Sequence, residues 1–292
     1  MKKANYFFCI MICSVIATTS LHAQKVSRQD STGLPGDNFS LQGALEMFKK
    51  AGSPEEFEKL INTQDNNVNN LDLNDDGDID YVRVTDKMDK DNHVFILQVL
   101  VSETESQDIA VIELEKTGNA SAILQIIGDE DIYGEQTIVE PNGGEGENAN
   151  RSNNGNGPNY FGYSNDDNVP IVVNVWLWPC VRYTYRPGYV LWVSPWRWHR
   201  YPVWWHPWRP LAWHVFHPLR LHYHTGFVIC HTHRVIHAHT IYTPFRTTSV
   251  IVRTRHSASV NHYRGTRTTT IRKGPGNIKV KTTRTKVKRG RG

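Results

Sequence analysis

The chain has 292 residues and a net charge of only +4, yet its charges are segregated. Every Asp and Glu lies at or before Asp167, while 21 of the 33 Lys and Arg fall within 168–292. Residues 24–167 therefore carry about −19 and residues 168–292 carry +21, which excludes a single uniform enzyme domain or a cytoplasmic housekeeping composition as the starting assumption.

Met1–Ala23 has the layout of a secretory signal: Lys2 and Lys3, an apolar stretch from Tyr6 to Thr18, then a small residue closing Leu21-His22-Ala23. Export is expected, to the periplasm, the outer envelope or beyond, with a mature start at Gln24. Ile12 before Cys13 argues against a lipid anchor. Loss of the signal leaves Cys180 and Cys230, a candidate disulfide in an exported chain, with two buried free thiols as the alternative.

A polar, flexible leader is expected over 24–39. Ser40 can cap a helix through Leu41, Ala44, Leu45 and Phe48, stopped by Gly52, and Ser53-Pro54-Glu55-Glu56 is a capping box opening a second helix with Phe57, Leu60 and Ile61 on its apolar face. The period then changes to two. Ile79–Val84, Val94–Ser102 and Ile109–Lys116 read as an antiparallel meander turning at Lys90-Asp91-Asn92, Ser121–Gly128 reads as a strand or a short helix, and Gln136–Glu140 as a last strand. The expected fold class is α+β, two helices on a small antiparallel sheet, over 40–141.

Residues 142–168 are Gly-, Asn- and Ser-rich and read as a flexible linker. An irregular, β-rich basic module is expected over 169–263, opening with Val169–Trp178 and a hairpin through Tyr183–Val193 around Pro187-Gly188. Pro195–Pro218 should be extended and irregular, because Pro fixes φ and lacks a donor. Alternation returns at His222–Tyr242 and Ser249–Arg255, and 264–292 reads as a disordered basic tail.

Asp72-Leu73-Asn74-Asp75-Asp76-Gly77-Asp78-Ile79-Asp80 resembles the first nine positions of an EF-hand calcium loop. That resemblance implies Asp72, Asn74, Asp76, Asp78 and Asp80 as Ca²⁺ ligands. Arg83 stands where the family places its bidentate carboxylate, and strands replace the flanking helices. The competing reading is a turn on Asp76-Gly77 with solvated carboxylates. Three His-x-His pairs, His222 with His224, His231 with His233 and His237 with His239, would each present two imidazoles to Zn²⁺ or Cu²⁺ if they lay on strands. The alternative is a cationic face that charges as pH falls.

All nine Trp lie between Trp176 and Trp213. Trp196, Arg197, Trp198, Arg200, Trp204, Trp205, Trp208 and Arg209 resemble the Trp/Pro-rich cationic host-defence peptides in composition. Indoles favour membrane interfaces and guanidinium groups pair with phosphate, which points to anionic envelope polymers or lipid headgroups. In the competing reading the Trp form a core on which Arg stacks. The basic tail binds polyanions without selectivity, so nucleic acid is not indicated, and the acidic and basic halves can dock on one another. No His-Glu-x-x-His, Gly-x-Ser-x-Gly or Walker loop occurs. The layout resembles uncharacterised secreted bacterial proteins, and that resemblance names no activity. The expectation is a non-catalytic envelope-associated protein, with a periplasmic Zn/Cu-binding protein as the alternative.

Overall fold

The computed structural model describes residues 31–143, 172–273 and 279–285, with side chains up to Thr266. The expected signal segment, residues 144–168 of the linker, and 274–278 and 286–292 of the tail lie outside the described residues. Among those described, no helix is long and apolar enough to cross a membrane.

Helix α1 (Leu41–Lys50) starts where Ser40 Oγ accepts from Gly43 N at 3.0 Å. Helix α2 (Pro54–Ile61) starts where Ser53 Oγ accepts from Glu56 N at 3.2 Å, while the Glu56 carboxylate reaches back to Gly52 N at 2.8 Å. The meander follows as β1 (Val82–Asp89), β2 (Asn92–Leu100), β3 (Ser106–Gly118) and β4 (Ser121–Gly128). The short helix α3 (Glu130–Tyr133) and strand β5 (Thr137–Pro141) complete the N-terminal half. Strand β1 begins three residues later than periodicity suggests, because Ile79 N donates to Trp208 O and Asp80 N to Leu71 O, both at 2.8 Å. The expected leader is built in from Ser31 onward: Asp37 gathers Thr32 N and Gly33 N, and Leu34, Pro35 and Phe39 are buried.

In the C-terminal half the expected runs are only partly strands. Helix α4 (Pro179–Thr184) replaces the first arm of the predicted hairpin, with Pro179 at the first helical position. The second arm lies along β1, where Asp86 N donates to Trp192 O at 2.7 Å and Ser194 N to Val84 O at 3.0 Å, covering an otherwise open sheet edge. Residues 195–212 are irregular apart from turns, as the prolines require. Helix α5 (Trp213–Arg220) carries Pro218 near its end. Of the alternating stretch 222–242, only β6 (Phe227–Cys230) is a strand, and α6 (Ile236–Tyr242) is a helix. Of the run Ser249–Arg255, all but Ser249 lies in helix α7 (Val250–Thr266), and β7 (Arg267–Lys273) pairs antiparallel with β8 (Lys279–Thr285).

Strand β6 adds to β5, giving a six-stranded sheet in the order β1-β2-β3-β4-β5-β6. Both faces are covered, which is why β2 and β3 are buried almost end to end instead of alternating. On one face Phe95, Leu97, Ile112 and Ile126 pack with α1 and α2 and also with Val175, Trp178, Cys180 and Phe227. On the other, Val94, Ile96, Val111, Ile127 and Ile138 pack with Val235, Ala238 and Tyr242 around α6. The break in composition at residue 142 is thus not a break in the core. Cations of the basic half also meet carboxylates of the acidic half: Arg246 with Asp129 at 2.6 Å and Arg234 with Glu140 at 3.1 Å.

Candidate functional site

The segment around 196–211 is held at both ends. Arg83 Nη1 donates to Trp196 O at 3.2 Å, and Asn70 exchanges hydrogen bonds with the backbone of Leu211 at 2.7 and 2.9 Å. Trp205 is the anchor, 5% exposed, its ring edge-on to Tyr81 at 5.0 Å and 4.6 Å from Tyr201. The Trp are therefore divided between core and surface. Trp178 and Trp205 are buried, Trp196, Trp198 and Trp208 half-buried, and Trp204 is 44% exposed beside Val203 at 94%. Arg197, Arg200 and Arg209 are exposed and make no ion pair among the described residues. A tight turn, with mutual backbone bonds between Arg197 and Arg200 and His199 at φ +54°, shapes the start of the segment.

The acidic turn adjoins this segment through the Ile79–Trp208 bond. Gly77 has φ +86°, a conformation glycine adopts at little cost. Backbone donors line up on the predicted ligands: Asp76 N and Gly77 N on Asp72 at 3.1 and 3.0 Å, and Asp78 N on Asp76 at 3.0 Å. Asn74 Nδ2 donates to Asp76 at 2.7 Å, and Asp78 is exposed. Asp80 is buried and accepts from Leu73 N at 2.5 Å. Burial, with Asp72 and Asp76 adding to it, pushes the Asp80 carboxyl up to about 8 against the pull of that amide. The turn does not bring three of its carboxylates within 4.8 Å of one another, and Arg83 points to Trp196 and Gln98 instead of into the loop.

None of the His-x-His pairs forms a two-imidazole site on a strand. His222 and His224 lie in the 3₁₀ turn Leu221–Thr225, where His222 Nδ1 contacts Leu219 O, and His231 is exposed. His237 turns to Glu115 at 3.3 Å. The histidines brought together are His233 and His239, one from each of two pairs, with rings 4.6 Å apart. Between them stands Glu113 of β3, fully buried, Oε2 at 2.6 Å from His233 Nε2 and Oε1 at 2.6 Å from His239 Nδ1. The hydrogen bond to Glu113 holds the His239 imidazole above its ordinary pKa. Glu113, Glu115 and Gln125 escape a motif search because they are buried polar groups in apolar strands. Their one signal is the placement of charge at alternate positions of Val111–Glu115.

The predicted disulfide does not form. Cys180 is buried with α1 and α2 on one face of the sheet, whereas Cys230 packs beside the α6 cluster on the other, and both are free thiols. Burial raises both, Cys230 to about 12. Compared with protein-family models, with curated proteins and with solved structures, the chain matches none.

Proposed function

We propose that this is an exported, non-catalytic protein of the cell envelope whose Trp196–Arg209 segment binds anionic surface polymers or lipid headgroups. The observation that carries the reading is the anchored presentation of Trp204, Val203 and three exposed guanidinium groups, without an ion pair among the described residues, on one irregular segment. A buried Trp205 fixes the backbone, so the exposed indole and cations need little further ordering on binding. The indole suits an interfacial position and the guanidinium forks suit phosphate or carboxylate oxygens.

Each cation near an anionic surface contributes about 1 kcal/mol. Replacing Arg197, Arg200 and Arg209 together by Gln should therefore weaken binding about a hundred-fold. The test is Trp emission of the chain titrated with phosphatidylglycerol vesicles, with lipopolysaccharide and with neutral vesicles. Binding to the anionic arms that fades with salt and drops in the triple variant supports the reading. Equal binding by the triple variant overturns it.

The acidic turn is proposed to take up calcium through Asp72 and Asp76, whose carboxylates accept the turn's backbone N–H groups, and its occupancy would lower the negative charge beside the cationic segment. Millimolar calcium should raise the unfolding midpoint and tighten binding to the anionic vesicles, and a chelator should reverse both. An unchanged midpoint removes calcium from the proposal and leaves the cationic segment standing.

A further inference from the structure

The geometry points to a divalent transition-metal site, of the Zn²⁺ class, formed by Glu113, His233 and His239. The candidate ligand atoms all lie within 4.8 Å of one another. Two imidazoles and one carboxylate are the donor set of an open zinc site, with a fourth position left for water or an outside ligand. Calcium, which takes oxygen donors, is disfavoured here.

The site is built from both halves of the chain. Glu113 comes from the middle of β3, at a position buried on every side. His239 lies on α6, placed by Ala238 N donating to Glu115 Oε1 at 2.9 Å. His233 lies on the preceding loop, and Gln125, the cross-strand neighbour of Glu113, holds that loop on both sides of it: Gln125 Nε2 donates to Thr232 O at 2.9 Å and its Oε1 accepts from Arg234 N at 2.7 Å. Supporting contacts of this kind orient ligands and set affinity in metal sites. The His233 and His239 side chains are 23% and 29% exposed, so an ion can enter from solvent without opening the core.

Each imidazole is now 2.6 Å from a Glu113 oxygen. Tetrahedral bonds of about 2.0–2.1 Å place neighbouring donors about 3.3 Å apart. Entry of zinc therefore replaces these hydrogen bonds, and the imidazole bonded to the oxygen that takes the ion must draw back by about 0.7 Å, which a residue on a loop or on a short helix can accommodate. The bound ion would tie α6 and its loop to the sheet.

The test is calorimetric titration of the whole chain with Zn²⁺ alone, alongside cobalt absorption spectra. One zinc per chain is expected, with a tetrahedral cobalt spectrum and a raised unfolding midpoint. His233→Ala and His239→Ala, both partly exposed positions, should each weaken zinc by about ten-fold or more while circular dichroism stays unchanged. His222→Ala and His231→Ala should not alter it. Glu113→Gln should also lose zinc, but that position is buried and the variant counts only if it folds. Absence of zinc binding at about 10 μM, or binding that survives both His233→Ala and His239→Ala, overturns the site.

Discussion

Glu58 offers the sharpest test of how the two halves of the chain are joined. Its carboxylate on α2 is 1% exposed and accepts four hydrogen bonds. Oε2 takes the two donors that cannot turn around, Val84 N at 2.9 Å and Trp192 Nε1 at 3.0 Å. Oε1 takes two hydroxyls, Tyr81 at 2.9 Å and Ser194 at 2.8 Å. Glu58→Ala strands both N–H groups in the core at about 1–3 kcal/mol each, so a loss of about 4 kcal/mol is expected. Glu58→Gln keeps one oxygen for the two N–H donors, and its amide can donate to the hydroxyls, which can rotate to accept. Its cost should be near 1 kcal/mol. Urea unfolding at pH 7, followed by far-UV circular dichroism and Trp emission, measures both. A Gln variant as damaged as the Ala variant, or an Ala variant within about 1 kcal/mol of the parent, would refute this account of the clamp.

Burial raises the Asp108 carboxyl from 3.8 to about 6, against the pull of Thr247 N, Gln98 and Tyr242. The folded state thus holds this proton more tightly than the unfolded chain. The stability it contributes is complete below pH about 4 and is lost as pH rises through about 6. At 1.36 kcal/mol per unit the loss is about 3 kcal/mol. Stability of the parent relative to Asp108→Asn should fall by that order between pH 4 and 7, and a difference that is flat or rises with pH refutes it. A Cβ on Gly128 would stand 2.5 Å from the Tyr133 ring, which also lies over Gly36. Gly128→Ala should cost about 1–3 kcal/mol in urea unfolding, and combining it with Tyr133→Ala should cost less than the sum of the two singles. Strict additivity would show that the ring is not what the methyl meets.

Helix caps and tight turns are legible in the chain alone. Ser40 and Ser53 cap their helices wherever those helices end up packing, and Lys90-Asp91 turns β1 into β2 because the turn needs only its own residues. Where the outcome depends on a partner distant in sequence, periodicity misleads. His222–Tyr242 alternates like a strand, yet Val235, Ala238 and Tyr242 also stand at helical spacing, and the apolar face of the sheet selects the helix by burying those three. The same limit hides the Glu113–His239 contact, because its members lie 126 residues apart, and the His-x-His pattern around His239 points to His237 as its partner instead of Glu113. Charge segregation is visible in the chain, but which charges cancel depends on how the fold brings them together. Arg234 and Arg246 are paired to carboxylates, whereas Arg197, Arg200 and Arg209 are left facing solvent. The physical reason is that a hydrogen-bonded turn or cap is settled within one or two turns of chain, while burial and ion pairing are settled by which surfaces meet when the sheet closes.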